Sequence, residues 1–158
     1  EQEYAIRLMI SKGASYSDWI KIAMMNARLE RYSCLHHIDR DQSFIDDAFK
    51  SFIDNGYQKL AGVVSKDAPV ILPKVIDRIA TGEKVALVVA DGMSMFDFEI
   101  LSEYMDGLDY SLGGSFAMIP TITSISRQAL LAGKYPQQLE NPFSLAKEES
   151  GFYAAAQE

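Results

Sequence analysis

The sequence predicts an α/β chain: an N-terminal helical segment followed by a partial parallel-sheet βαβα unit. Three observations lead there. Residues 16–63 carry apolar side chains at three- and four-residue spacing, the mark of amphipathic helices. Val85 to Ala90 is an apolar run rich in valine and without alternation, which suits a parallel strand buried on both faces. Gly113 to Ile119 and Ser124 to Ala132 then repeat the order strand, helix, the signature of a βαβ unit with a right-handed crossover. The break at Lys66-Asp67-Ala68-Pro69 divides the chain into a helical segment over 1–66 and a partial α/β domain over 67–158.

Each element has a local reason. Tyr16 to Tyr32 places Trp19, Ile20, Ala23, Met24, Ala27 and Leu29 near one stripe, with Ser17 as N-cap. Asp41 to Val63 repeats the pattern through Phe44, Ile45, Ala48, Phe49, Phe52, Ile53, Tyr57 and Leu60, and the polar link 33–40 makes the two a helical hairpin. Asp67 can cap a helix with Pro69 in its first turn, running from Val70 to Ala80 and ending at Thr81-Gly82. Met95 to Met105 reads as the crossover helix with Phe96, Ile100, Leu101 and Tyr104 inward. Gly133 closes the helix that starts at Ser124. Asn141-Pro142 makes a turn, and Ser144 can cap a last helix reaching Ala156.

The bulk numbers bound the function. A chain of 158 residues suffices for one domain, or a domain with an appendage. At 48% hydrophobic and 23% charged it has the composition of an ordinary globular chain. A net charge of −7 argues against a general electrostatic grip on nucleic acid or an anionic membrane. The single cysteine, Cys34, rules out an intrachain disulfide and fits a cytoplasmic location. No apolar run reaches the ~18 residues a membrane span needs, and EQEYAIR is not a signal peptide. The chain lacks an initiator Met and stops at AAAQE in helix-like composition, so it reads as a piece of a longer protein.

The chemistry concentrates at two places. Asp91 stands where the first predicted strand ends, and Gly92 lets the chain turn there. A carboxylate so placed is either a ligand for Mg, Mn or Zn or a cap for the next helix. Thr121, Thr123 and Ser124 follow the second predicted strand, and parallel strands would put Thr123 at the same sheet edge as Asp91. A hydroxyl at a helix start meets unpaired N–H groups that can hold a phosphoryl oxygen, and metal coordination makes it a nucleophile. Thr123 or Ser124 can equally serve as N-cap. Arg127, one turn further on, can fork onto phosphate oxygens or stand as a surface charge. Cys34, His36 and His37, with Asp39 and Asp41, match no standard zinc spacing and read as an interhelical loop.

The pair VVADGMS and PTITSISRQALLAGKYP resembles the PglZ domain, a branch of the alkaline phosphatase superfamily found in bacterial phage-defence systems of the BREX type and in some response regulators. Pro120-Thr121-Ile122-Thr123 and Gly133-Lys134-Tyr135-Pro136 are similar to the layout of that superfamily's phosphodiesterases. The resemblance covers roughly residues 84–158. It implies an alkaline-phosphatase-like fold, a metal-dependent phosphohydrolase or phosphodiesterase, Asp91 as ligand to a divalent metal (Zn, with Mn or Mg as alternatives), Thr123 as metal-bound nucleophile, and Arg127 on the substrate. It also implies a phosphate or sulfate ester as substrate. The further Asp and His ligands that such a site takes from late in the domain have no counterpart here, because the only histidines, His36 and His37, lie upstream. Two other readings compete. One is a non-catalytic module that meets protein partners through its helical segment or an open sheet edge. The other is a phosphoacceptor domain with Asp91 as acceptor, weakened by the lack of an acidic pair before the strand.

Overall fold

The computed structural model describes residues 1–66, 70–79, 84–144 and 148–155. The α-helices are α1 (Gln2–Ser11), α2 (Tyr16–Leu35), α3 (Ser43–Gly56), α4 (Val75–Ile79), α5 (Met95–Leu101), α6 (Thr123–Ala132) and α7 (Glu148–Ala155). Short 3₁₀ turns at Tyr57–Gly62, Leu72–Lys74, Ser102–Tyr104 and Pro136–Gln138 extend or link them. Chain contacts gather these into two compact units, Glu1–Leu60 with Gly92–Leu112, and Ala61–Asp91 with Gly113–Glu158.

The first unit is helical and built on aromatic contacts. Ser15 caps α2 in a reciprocal box: its hydroxyl accepts the Asp18 N–H, and the Asp18 carboxylate accepts the Ser15 N–H at 3.0 Å. The cap is therefore Ser15 and not Ser17. Ile6, Trp19, Ile22, Ala27, Ile45 and Leu60 are buried. Ile22 replaces Ala23 in the predicted stripe: Trp19, Ile22 and Ala27 are buried, and Ala23 is exposed. Phe49 of α3 meets the Trp19 ring edge-on at a centroid distance of 5.0 Å, and Phe52 lies 5.8 Å from it. The Arg7 guanidinium sits 3.6 Å over the Phe44 ring. Segment 92–112 joins this unit through α5, which packs on α2 with Arg28 paired to Glu99 at 3.1 Å and Arg31 paired to Glu103. Leu101 and Tyr104, predicted to point inward, are exposed on α5 and the 3₁₀ turn after it, as is Ile100.

The second unit is organised by α6, whose Ser124, Ile125, Gln128 and Ala129 are buried. It packs against α7, α4 and the 3₁₀ turn Leu72–Lys74. Gly133 ends α6 in the left-handed region at φ 62°, as its position in the sequence foretells. The Gln128 side-chain amide lies within hydrogen-bond reach of the carbonyls of Ser124, Asn141, Pro142 and Ser144, at 2.8–3.2 Å, and so holds the 141–144 turn on the helix. Asn141-Pro142 forms the predicted turn, closed by the Ser144 N–H on the Asn141 carbonyl at 3.1 Å.

The predicted parallel sheet is not formed: among the described residues there is no strand. A strand needs a ladder, and Val85 to Ala90 has none. No main-chain hydrogen bond joins residues 84–90 to another described residue, and Val88 is 88% exposed. Gly113 to Ile119 makes one isolated parallel bridge, Phe116 with Ile71, in which the Phe116 N–H donates to Val70 O at 2.9 Å and the Leu72 N–H to Phe116 O at 3.0 Å. That bridge takes Val70 and Ile71 out of the helix predicted for 70–80, and a 3₁₀ turn with Pro73 in it starts at Leu72 instead. The predicted features at Asp67, Pro69, Ala80, Thr81-Gly82 and Ala156 lie outside the described residues.

Candidate functional site

Asp91 and Arg127 come together although far apart in the chain, with Arg127 Nη1 3.8 Å from Asp91 Oδ2. Both side chains stay partly exposed, at 47% and 39%. They stand at a cavity of about 290 Å³ whose other walls are Leu87, Val89, Leu130 and Leu131. Leu87, Val89 and Asp91 alternate along the chain, which is the period of extended backbone laid over a helix. Sequence reasoning missed the leucine pair of α6; its signal is Leu130-Leu131 lying a turn beyond Arg127.

The local structure resolves two alternatives that the sequence leaves open. The helix after Asp91 is capped by Ser94, whose hydroxyl accepts the Asp97 N–H at 3.1 Å while the Asp97 carboxylate accepts the Ser94 N–H at 2.9 Å. Asp91 therefore does no capping, and Gly92 turns the chain at φ 73°. The hydrogen bonds from the Ser94 hydroxyl and then its N–H hold the Asp97 carboxyl below the ordinary carboxylate range. On α6 the N-cap is Ile122, with no side-chain cap bond. Thr123 is thus the first helical residue, its side chain exposed, and Ser124 is buried behind it. Thr123 and Arg127 stand one turn apart on one face of α6. Thr123 is not among the cavity-lining residues, and no hydrogen bond joins it to Asp91. The sheet edge that the two were expected to share does not exist, since no strand forms on either side.

For a divalent metal, Asp91 and Thr123 would supply at most two donors, where a catalytic centre fixes about three protein ligands. Among the described residues no three His, Cys, Asp or Glu side chains converge to hold a metal. The described residues alone therefore do not fit one. Cys34 is an exposed thiol, and His37 lies at φ 52° in the turn that ends α2.

No protein-family model, no curated protein and no solved structure matches this chain. The likeness to PglZ domains accordingly rests on the two motifs. Among the described residues no helix is long and apolar enough to cross a membrane.

Proposed function

We propose that this chain carries part of the site of a phosphoester hydrolase of the PglZ kind, acting on a phosphate or sulfate ester. Thr123 is its nucleophile, Arg127 binds the ester oxygens, and Asp91 is one of several acidic ligands. The contact of Asp91 with Arg127 at the rim of the cavity supports this reading most directly. It gathers two residues of separate motifs, which a purely architectural role for either motif does not require. The Thr123 hydroxyl at the first turn of α6 is not spent as a cap, and the unpaired N–H groups of that turn favour an oxyanion. The Leu130 and Leu131 side chains give the Asp91–Arg127 cavity, which Thr123 itself does not line, an apolar wall that would lower the local dielectric around ester oxygens held by Arg127. Ligands beyond Asp91 would come from outside the described residues.

The test is hydrolysis of p-nitrophenyl phosphate and bis-p-nitrophenyl phosphate by a longer polypeptide containing this chain, with Zn or Mn added. Activity that Thr123→Ala abolishes while circular dichroism stays unchanged is the expected result. Activity surviving Thr123→Ala rejects the nucleophile, and no hydrolysis of either ester under any metal favours the non-catalytic module.

A further inference from the structure

We propose that the cavity beside Asp91 and Arg127 receives the organic group of the ester, and that this group is small and apolar, an aliphatic chain or an aromatic ring rather than a sugar or nucleoside. On the phosphoester reading above, on which this rests, Arg127 holds the ester oxygens. The cavity is about 290 Å³, with room for about ten non-hydrogen atoms at the ~30 Å³ each that water takes in the liquid. One wall is the extended segment, whose lining positions run Leu87, Val89, Asp91. The other is α6, whose lining positions run Arg127, Leu130, Leu131. Both walls are charged at one end and aliphatic at the other. Asp91 Oδ2 lies 3.8 Å from Arg127 Nη1, so the two charged ends meet and the four aliphatic side chains line the remainder.

An ester anion with an apolar organic group is polarised in the same way. Its oxygens suit the guanidinium, and its carbon group suits leucine and valine, since water leaves apolar surface on both sides when they meet. The lining side chains at that end offer no hydrogen bond, so the hydroxyls of a sugar would lose water there without a side-chain partner. The order along α6 gives a direction as well. Thr123 lies one turn before Arg127, about 6 Å at the rise of an α-helix, and Leu130 and Leu131 lie about one turn after it. Thr123 does not line the cavity. Ester oxygens on Arg127 therefore have the hydroxyl on one side and the apolar end on the other, the side from which an alcohol departs in an in-line displacement. As the bond from Thr123 Oγ to phosphorus forms, the bond from phosphorus to the alcohol oxygen breaks, and that oxygen takes the bonding pair and the threonine proton.

Calorimetric titration of the whole chain, without added metal, with methyl, propyl and hexyl phosphate and with glycerol phosphate tests this. The expected result is a gain in affinity of about two- to threefold per methylene, short of the roughly fourfold of complete burial because Val89 stays 45% exposed. Propyl phosphate should bind about tenfold more tightly than glycerol phosphate, which adds hydroxyls to the same carbon chain. Arg127→Gln should weaken every ester by a similar factor. Leu130→Ala and Val89→Thr should each lower the hexyl-to-methyl ratio. Threonine keeps the shape of an exposed valine, so Val89→Thr decides even if the Leu130 variant does not fold. Equal affinities along the series, glycerol phosphate bound as tightly as propyl phosphate, or a ratio indifferent to Val89→Thr would overturn the proposal, while methyl phosphate binding that depends on Arg127 keeps the phosphoester reading. Binding of no ester, or binding indifferent to Arg127→Gln, overturns the phosphoester reading and this proposal with it.

Discussion

Gly133 answers to two constraints at once. Its φ of 62° lies in the left-handed region that ends a helix. A Cβ built there would come 2.9 Å from the Ile76 Cγ2 and 3.5 Å from the Pro73 carbonyl, so the turn must also pass close to α4. Gly133→Ala meets the backbone cost of about 1–2 kcal/mol and then forces the buried Ile76 to move. The expected loss is about 2–3 kcal/mol in urea unfolding, against under ~0.5 kcal/mol for an exposed control substitution such as Lys134→Ala. Its place just after an apolar run makes Gly133 legible in the sequence; the close approach to Ile76 is not, because it depends on where α4 packs. Gln128 shows the opposite case. A polar side chain between Ile125 and Ala129 on the buried stripe is a visible oddity in the sequence, but the four carbonyls around its amide come partly from a turn that follows the helix. Asp91, Thr123 and Arg127 are legible through their motifs. That Arg127 reaches Asp91 is a tertiary fact, worth at most about 1 kcal/mol at such exposure.

At the scale of elements, α2 and α5 open on reciprocal side-chain caps, whereas α1, α3 and α6 have none. Asp18 accepts hydrogen bonds from the Ser15 hydroxyl and the Ser15 N–H, and these hold its carboxyl below the ordinary carboxylate range. A carboxyl depressed in the folded state contributes stability above its unfolded pKa of about 3.9 and loses it as pH falls through the folded value. Asp97, and Asp41 through the Ser43 N–H, act with the same sign. Ser15→Ala is expected to cost about 1 kcal/mol at neutral pH and to flatten the fall of melting temperature with acidification below about pH 4. An acid limb as steep as in the parent would mean that Asp18 keeps its depressed pKa without the cap. Helix caps and stripes act within a few residues, so α2 and α6 are readable to within a few positions, whereas the helix expected over 41–63 is α-helical only from Ser43 to Gly56 and continues as a 3₁₀ turn to Gly62. Val85 to Ala90 is not readable in this way, because its composition states only that the segment suits a ladder. A ladder is made by a partner elsewhere in the chain, and the described residues provide none. Phe116 did find one in Ile71, inside a stretch whose apolar spacing reads equally well as helix.

On the scale of the whole molecule, charge and ligand number together decide what the chain can do alone. Its net charge is −7, so a phosphate ester approaches against the overall field. The cation placed to offset this locally, Arg127, has the Asp91 carboxylate 3.8 Å away. In the proposed site Asp91 and Thr123 would offer a metal only two donors, and a metal held by two protein ligands exchanges with solvent too readily to fix a nucleophile. A threonine hydroxyl without firm activation is a poor nucleophile at neutral pH. This chain by itself is therefore expected to hydrolyse p-nitrophenyl phosphate no faster than buffer containing the same Zn or Mn. Asp91→Asn removes one negative charge beside Arg127 and should tighten the binding of inorganic phosphate, measured by phosphorus NMR titration, whereas Arg127→Gln should weaken it. Metal-dependent turnover by the purified chain that Thr123→Ala abolishes would show that two donors suffice and would retain the nucleophile. Phosphate binding unchanged in both charge variants would remove Arg127 from the substrate site and leave the Asp91–Arg127 contact as surface electrostatics.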